Sequence, residues 1–205
     1  MSSCDESNCG FAPESTGQKR TLTIVLGINA VMFIVIVVSA FAGRSASLLA
    51  DSLDNLGDAL TYALSLFVVA KGLEAKAKVA LFKGALILFA AIGISAQVVY
   101  KIFFPVVPSY EIMGIFSLLA LAANSVCLLL LWRHRHEDVN MSSVWECSRN
   151  DIATNLSVFA AAGGVWFFGS SWPDLLVALG LIIMLIRSAL RVNASALRVL
   201  RTANT

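Results

Sequence analysis

Long apolar runs alternate with short polar segments along the chain, and this pattern predicts a series of membrane-spanning helices. A helix rising about 1.5 Å per residue needs roughly 20 apolar residues to cross the hydrocarbon core of a bilayer. Six runs of suitable length are present, at about 21–42, 47–70, 80–103, 110–132, 140–168 and 174–193. Pro105 and Pro108 separate the third run from the fourth. The sequence therefore predicts an all-α, polytopic membrane protein with six transmembrane helices.

The polar segments divide the chain and orient it. A disordered tail is predicted at 1–18, a six-helix transmembrane domain at 19–193 and a short tail at 194–205. Lys and Arg collect on one side of the predicted membrane, and only Arg44 and Lys101 lie on the other. Because positively charged loops stay in the cytoplasm, both termini and both tails are predicted to be cytoplasmic. No signal peptide is expected in the first polar stretch.

Composition supports this class of protein and argues against others. The 205 residues are 58% hydrophobic and 14% charged, and the mean hydropathy of +0.81 is typical of a polytopic membrane protein. A net charge of +2 is too small to indicate a nucleic-acid partner. The four cysteines do not lie where a structural disulfide between spans would be placed, so metal binding or burial explains them better.

The second predicted span carries three carboxylates inside its apolar run. Asp51, Asp54 and Asp58 are spaced i, i+3 and i+7, so they project from one face of a helix. Each Asp at the centre of a spanning helix costs about 2.5–3.5 kcal/mol, whereas each Leu, Ile, Val or Phe returns only about 0.3–0.6 kcal/mol. The three together roughly cancel the apolar gain of the span. Such carboxylates are expected to be functional, and a positive charge must offset them.

The fifth predicted span repeats this feature. Cys147 and Asp151 are spaced i and i+4, as Asp54 and Asp58 are, so each helix offers two ligand atoms one turn apart. If the two faces meet, these four residues supply three oxygens and one sulfur. That set is enough for a four-coordinate divalent cation, whose charge would neutralise much of the buried acid.

Simpler interpretations exist for several of these residues. Cys147 could be a small apolar filler, as Cys127 is predicted to be in its leucine-rich surroundings. Asp58 or Asp151 could form a structural ion pair with Arg149, which lies inside the fifth span. Alternatively, Arg149 could extend its long side chain to the cytoplasmic surface.

Two further polar residues lie close to the predicted ligands. Asp51 is one turn nearer the outer surface than Asp54, and it is interpreted as a neighbour of the ligands, a proton-handling group, or a carboxylate solvated in an outer vestibule. Asn155 is interpreted as part of the same surroundings or proton path, although such asparagines more often bond helix to helix.

The polar segments offer weaker candidates for capturing a metal ion at the cytoplasmic side. These are two thiols in the first tail and two imidazoles in the loop after the fourth span, namely Cys4, Cys9, His134 and His136. Two thiols alone do not fill a tetrahedral site. An unstructured tail and a solvated charged loop are therefore the default interpretations of these segments.

At the acidic spans the chain resembles the cation diffusion facilitator family of metal exporters, whose second and fifth spans each carry a [His/Asp]-x-x-x-Asp motif. The matching segments here run from Leu49 to Asp58 and from Cys147 to Asp151. The resemblance covers the whole six-span region. It implies an all-helical membrane domain with cytoplasmic termini, and a transport site formed by Asp54, Asp58, Cys147 and Asp151.

Two departures from the family pattern stand out. Cys147 takes the place of the usual His, which makes the site softer. The cytoplasmic ferredoxin-like domain that follows the sixth span in the family has no counterpart in the sequence. The resemblance therefore implies a form without that domain, and any homodimer is expected to form through the transmembrane helices.

Together these features predict efflux of a divalent cation by metal/proton antiport with alternating access. The cation is expected to be Zn²⁺, also Cd²⁺, since thiolate favours soft metals over Mg²⁺, Ca²⁺ or Mn²⁺, and the carboxylates leave Co²⁺ and Fe²⁺ open. The sequence contains no phosphate-binding Gly-x-x-x-x-Gly-Lys motif, and this absence is expected of a secondary transporter.

The remaining expectations follow from this function. The protein is predicted to be no enzyme and to need no cofactor, with metal ion, protons and the lipid bilayer as its partners. Its expected location is the bacterial inner (plasma) membrane. Two alternatives remain: a metal-binding or partner subunit that does not transport, and an intramembrane metalloenzyme. The sequence has no His-Glu-x-x-His pair to support the metalloenzyme.

Overall fold

Six α-helices form the described part of the chain, which in this computed structural model comprises residues 16–67, 73–132 and 139–203. They are α1 (Thr16–Gly43), α2 (Ala46–Phe67), α3 (Leu73–Phe103), α4 (Tyr110–Trp132), α5 (Val139–Phe168) and α6 (Trp172–Ala203). No strand is present within these ranges. The predicted all-α fold class is confirmed.

Five stretches of these helices are long and apolar enough to cross a membrane. They are Lys19–Gly43 in α1, Ala77–Phe103 in α3, Tyr110–Trp132 in α4, Ser148–Phe168 in α5 and Trp172–Arg201 in α6. The remaining helix, α2, has 22 residues, a length that also suits a bilayer core. Its acidic residues set it apart, and it packs against α1, α3, α5 and α6. The bundle thus surrounds the helix that carries Asp51, Asp54 and Asp58, as expected for a polytopic membrane protein.

Apolar side chains are divided between the inside of the bundle and its outer surface. A large buried cluster draws on all six helices and includes Ile36, Leu48 and Met113. Many aromatic side chains, such as Phe89 and Phe167, are instead largely exposed. An exposed apolar surface of this extent is typical of a protein that faces hydrocarbon.

Some helix bounds differ from the prediction. α4 lies at the predicted 110–132, but α1 already begins at Thr16 and α6 continues to Ala203, well beyond the predicted end at 193. Hydropathy detects only the segment that suits the hydrocarbon core, whereas a helix continues into water wherever its backbone remains hydrogen-bonded. Lys83 is buried within α3, although it follows other lysines at the start of that helix.

The connections α1–α2, α3–α4 and α5–α6 meet at one end of the bundle, here named the outer end. The backbone amide of Ser109 donates to the carbonyl of Gly43 at 2.9 Å. The ammonium group of Lys101 donates to the carbonyl of Arg44 at 2.6 Å. Neighbouring helices are therefore antiparallel hairpins, and depth along one helix can be compared with depth along the next.

Asp174 in the first turn of α6 fixes the start of α2. Its buried carboxylate accepts hydrogen bonds from the hydroxyl groups of Ser45 and Ser47, both at 2.7 Å. It also accepts from the backbone amides of Ala46 and Ser47, both at 2.9 Å. The first amides of a helix lack partners within the helix, so Asp174 caps α2 from another element. This cap sets the depth at which the acidic face of α2 lies.

Candidate metal site

The acidic face of α2 points into the bundle. Asp51, Asn55, Asp58 and Tyr62 follow one another at helical spacing, and all four are buried. Asp54 lies beside this stripe and is half-buried. The side chains that hydropathy penalises are therefore enclosed by neighbouring helices rather than placed against lipid.

Asp151 joins this face from α5. It is buried, and its carboxyl group lies close to those of Asp58 and Asp54. The structure thus brings three of the four predicted ligands together between α2 and α5. Carboxyl groups buried this close together are stable only when protons or a cation neutralise their charge.

The fourth predicted ligand lies on the same helix. The α5 backbone places Cys147 one turn before Asp151, but its side chain lies outside the described residues. Within the described ranges, no group of three or more His, Cys, Asp or Glu side chains is arranged to hold a metal ion. The weaker candidates, Cys4, Cys9, His134 and His136, also lie outside the described residues.

Hydrogen bonds orient the inner part of the acidic face. The hydroxyl of Tyr62 donates to Oδ2 of Asp58 at 3.2 Å. The hydroxyl of Thr61 donates to the carbonyl of Gly57 at 2.8 Å and accepts a hydrogen bond from the ammonium group of Lys83. Since Thr61 follows Asp58 by one turn, Lys83 brings a buried cation from α3 close to the carboxylates.

Sequence reasoning missed Lys83 because several lysines precede the third apolar run. A signal was present, since Lys83 lies inside the predicted span 80–103, where a basic residue needs an acidic or polar partner. Asp174 was missed because an acidic residue that follows Trp-Pro is expected to lie exposed in the first turn of a helix. Its role as a cap is visible only once the neighbouring helix packs against it.

Three of the simpler interpretations can now be compared with the structure. Cys127 is buried in an apolar cluster with Tyr62, as predicted for a core residue. Arg149 is exposed, and its guanidinium group lies 5.4 Å from the ring centre of Trp145. Within the described residues, the proposed ion pair of Arg149 with the buried aspartates is not formed. Asp51 is buried, which contradicts the interpretation of a solvated outer vestibule.

Comparison with known proteins agrees with this architecture. A family model described as the cation efflux transmembrane domain matches residues 22–201. A search of curated proteins finds no significant match. The matched segment includes both acidic helices and reaches all six helices of the bundle. The chain therefore belongs to the cation efflux transmembrane domain family, as the resemblance predicted, and is a multi-pass metal cation efflux transporter.

Proposed function

We propose that the protein exports Zn²⁺, and also Cd²⁺, in exchange for protons at a site formed by Asp54, Asp58, Cys147 and Asp151. One observation carries this proposal: the carboxyl groups of Asp54 and Asp58 on α2 and of Asp151 on α5 lie close together inside the bundle. Such a cluster is costly unless protons or a cation neutralise it. A site that must hold one or the other supports exchange between them.

Proton release and metal binding are coupled at these ligands. Carboxylates and thiolates bind a metal only when deprotonated, so metal affinity falls as protons are taken up. A cation entering from the cytoplasm would displace protons from these ligands, and protons entering from outside would displace the cation. A proton gradient can thereby drive export without a nucleotide.

The ligand types support a preference among cations. Three carboxylates and one thiolate suit a four-coordinate ion with both oxygen and sulfur affinity, of which Zn²⁺ is the commonest in proteins. Cd²⁺ is softer and fits the thiolate, and Co²⁺ or Fe²⁺ remain weaker candidates. The cation is the transported substrate, and the chemistry requires no further cofactor.

The site lies between two apolar clusters, which supports alternating access. Towards the end opposite the outer end, Leu22, Val25 and Leu131 pack around Tyr62. Towards the outer end, the larger cluster includes Ile36 and Met113. In alternating access, the packing on each side of the acidic site would open in turn.

The proposal is tested with purified protein in vesicles that contain a zinc indicator and carry a proton gradient. Flux into the vesicles should require the gradient and should fall to background in Asp58→Asn and Asp151→Asn. Glu111→Gln is the matched control, because this carboxylate is exposed in the first turn of α4 and should not affect flux. Full flux in the two Asp variants would overturn the assignment of the site. Binding without flux in the wild type would instead support a non-transporting metal-binding subunit.

A further inference from the structure

A second set of buried polar side chains lies at the depth of the acidic site and outward of it. Asp51 and Asn55 on α2, Asn124 on α4 and Asn155 on α5 are 2%, 3%, 3% and 0% exposed. The proposed metal site does not use any of them. A buried polar group without a partner costs about 1–3 kcal/mol, so four in one region require an explanation.

Several atoms of these side chains have no hydrogen-bond partner. They are Oδ2 of Asp51, Oδ1 of Asn55, Oδ1 of Asn124, and both Oδ1 and Nδ2 of Asn155. Nδ2 of Asn55 donates to the backbone carbonyl of Asp51 at 3.2 Å, which leaves its oxygen available. Oxygen acceptors dominate the set, and oxygen acceptors are the ligands of cations and of their hydration water.

The helix register places these residues at neighbouring depths. α2 and α5 are antiparallel, and Asp58 meets Asp151 between them. One turn towards the outer end from this contact lies Asn55 on α2 and Asn155 on α5, and Asp51 follows one turn further out. On α4, Asn124 lies about one turn outward of Cys127, which packs in the cluster with Tyr62. Asn55, Asn155 and Asp51 therefore extend outward from the acidic site over about two turns, and Asn124 lies at about the depth of the site itself.

We infer that Asp51, Asn55 and Asn155 form a second and weaker cation position through which the exported ion leaves the acidic site. The inference rests on the proposed function. The second position offers one carboxylate and amide oxygens but no thiolate, so it holds a partly hydrated ion less tightly than three carboxylates and a thiolate do. A pathway needs such weaker positions, because an ion bound tightly along its whole path would not be released.

Asn155 provides the sharpest test, since both of its polar atoms lack partners and it is not among the proposed ligands. Asn155→Leu should keep zinc affinity, measured by calorimetry on the purified protein, within about threefold of the wild type. Its flux in vesicles should fall by about tenfold or more. Asn155→Asp restores an oxygen and should recover most of the flux. Ser157→Leu, on the exposed face of the same helix, is the control and should leave both measurements unchanged.

The possible outcomes separate the inference from the proposed function. Wild-type flux in Asn155→Leu, or equal loss of flux in Asn155→Leu and Asn155→Asp, would overturn the second position. If Asn155→Leu does not fold, Asp51→Asn provides the test instead. Unchanged zinc affinity with reduced flux in Asp51→Asn supports the inference, and unchanged flux overturns it. Absence of zinc flux in the wild type would overturn the proposed function, and the second position with it.

Discussion

At the scale of single residues, the softness of the proposed site depends on Cys147. Cys147→His should lower the preference for Cd²⁺ over Zn²⁺ by about tenfold, because imidazole suits Zn²⁺ whereas thiolate favours the softer ion. Competition binding on the purified variant measures this ratio. Cys127→Ala is the matched control, since that thiol lies in the apolar cluster and should not change the preference. An unchanged ratio in Cys147→His would remove this residue from the ligand set.

Lys83 should act on the same site through its charge. Its ammonium group reaches Thr61, one turn from Asp58, and repels a bound dication. Lys83→Met removes one positive charge, whose repulsion of the bound cation is worth roughly 1–3 kcal/mol. Zinc affinity should therefore rise by about tenfold. Calorimetry measures the change, and Lys78→Met, an exposed lysine of the same helix, is the control. Equal affinity in Lys83→Met and the wild type would show that the cation does not act on the site.

Residue spacing predicted part of this site and not the rest. The i, i+4 spacing of Asp54 and Asp58 on one helix and of Cys147 and Asp151 on the other indicated two opposing faces before any packing was known. Spacing says nothing about which other helix approaches a face. Lys83 therefore became visible as a neighbour of the site only once α3 lay against α2.

At the scale of helices, the cap between α6 and α2 should contribute strongly to stability. Asp174→Ala leaves two backbone amides and two hydroxyl groups without their buried acceptor. The free energy of unfolding should fall by about 3 kcal/mol or more, because each buried donor left unpaired costs about 1–3 kcal/mol. Thermal unfolding in detergent measures the loss.

Two further variants complete that test. Asp174→Asn keeps one acceptor oxygen and should lie between the wild type and Asp174→Ala. Glu111→Ala removes an exposed first-turn acid from α4 and should change stability by no more than about 0.5 kcal/mol. If Asp174→Ala unfolds at the wild-type temperature, the cap does not stabilise the bundle.

Helix existence was predictable and helix ends were less so. The apolar runs identified all six helices, and the proline-containing segment set the start of α4 correctly. α6 extends to Ala203 because its last turns need only backbone hydrogen bonds, which hydropathy does not report. The cap by Asp174 was likewise hidden, since it joins residues far apart in the chain.

At the scale of the whole molecule, cation binding should stabilise the bundle. An ion held between α2 and α5 binds the folded protein alone, and at about 100 times its dissociation constant it adds roughly 2.7 kcal/mol. The unfolding temperature should therefore rise when Zn²⁺ is added and should return to its metal-free value when a chelator is added. Asp58→Asn should not show this rise. A rise of equal size in Asp58→Asn would place the stabilising ion elsewhere.

The fold class and the packing of α2 inside the bundle can both be predicted from one feature of the sequence, the carboxylates within an apolar span. A span whose carboxylates cancel its apolar gain is stable only inside a bundle, and α2 does pack against α1, α3, α5 and α6. Which helices surround it depends on side-chain packing across the molecule. The apolar pattern alone does not contain that information.

The composition of α2 also bears on how the protein is made. A segment whose acidic residues offset its apolar ones gains little by leaving the translocation channel alone. α1 ends at Gly43, α2 starts at Ala46, and the two pack closely against each other. During synthesis the pair should enter the lipid as one hairpin, with α1 acting as the anchor for its acidic neighbour. Biogenesis of the transporter thus depends on the order in which its first two helices emerge from the ribosome.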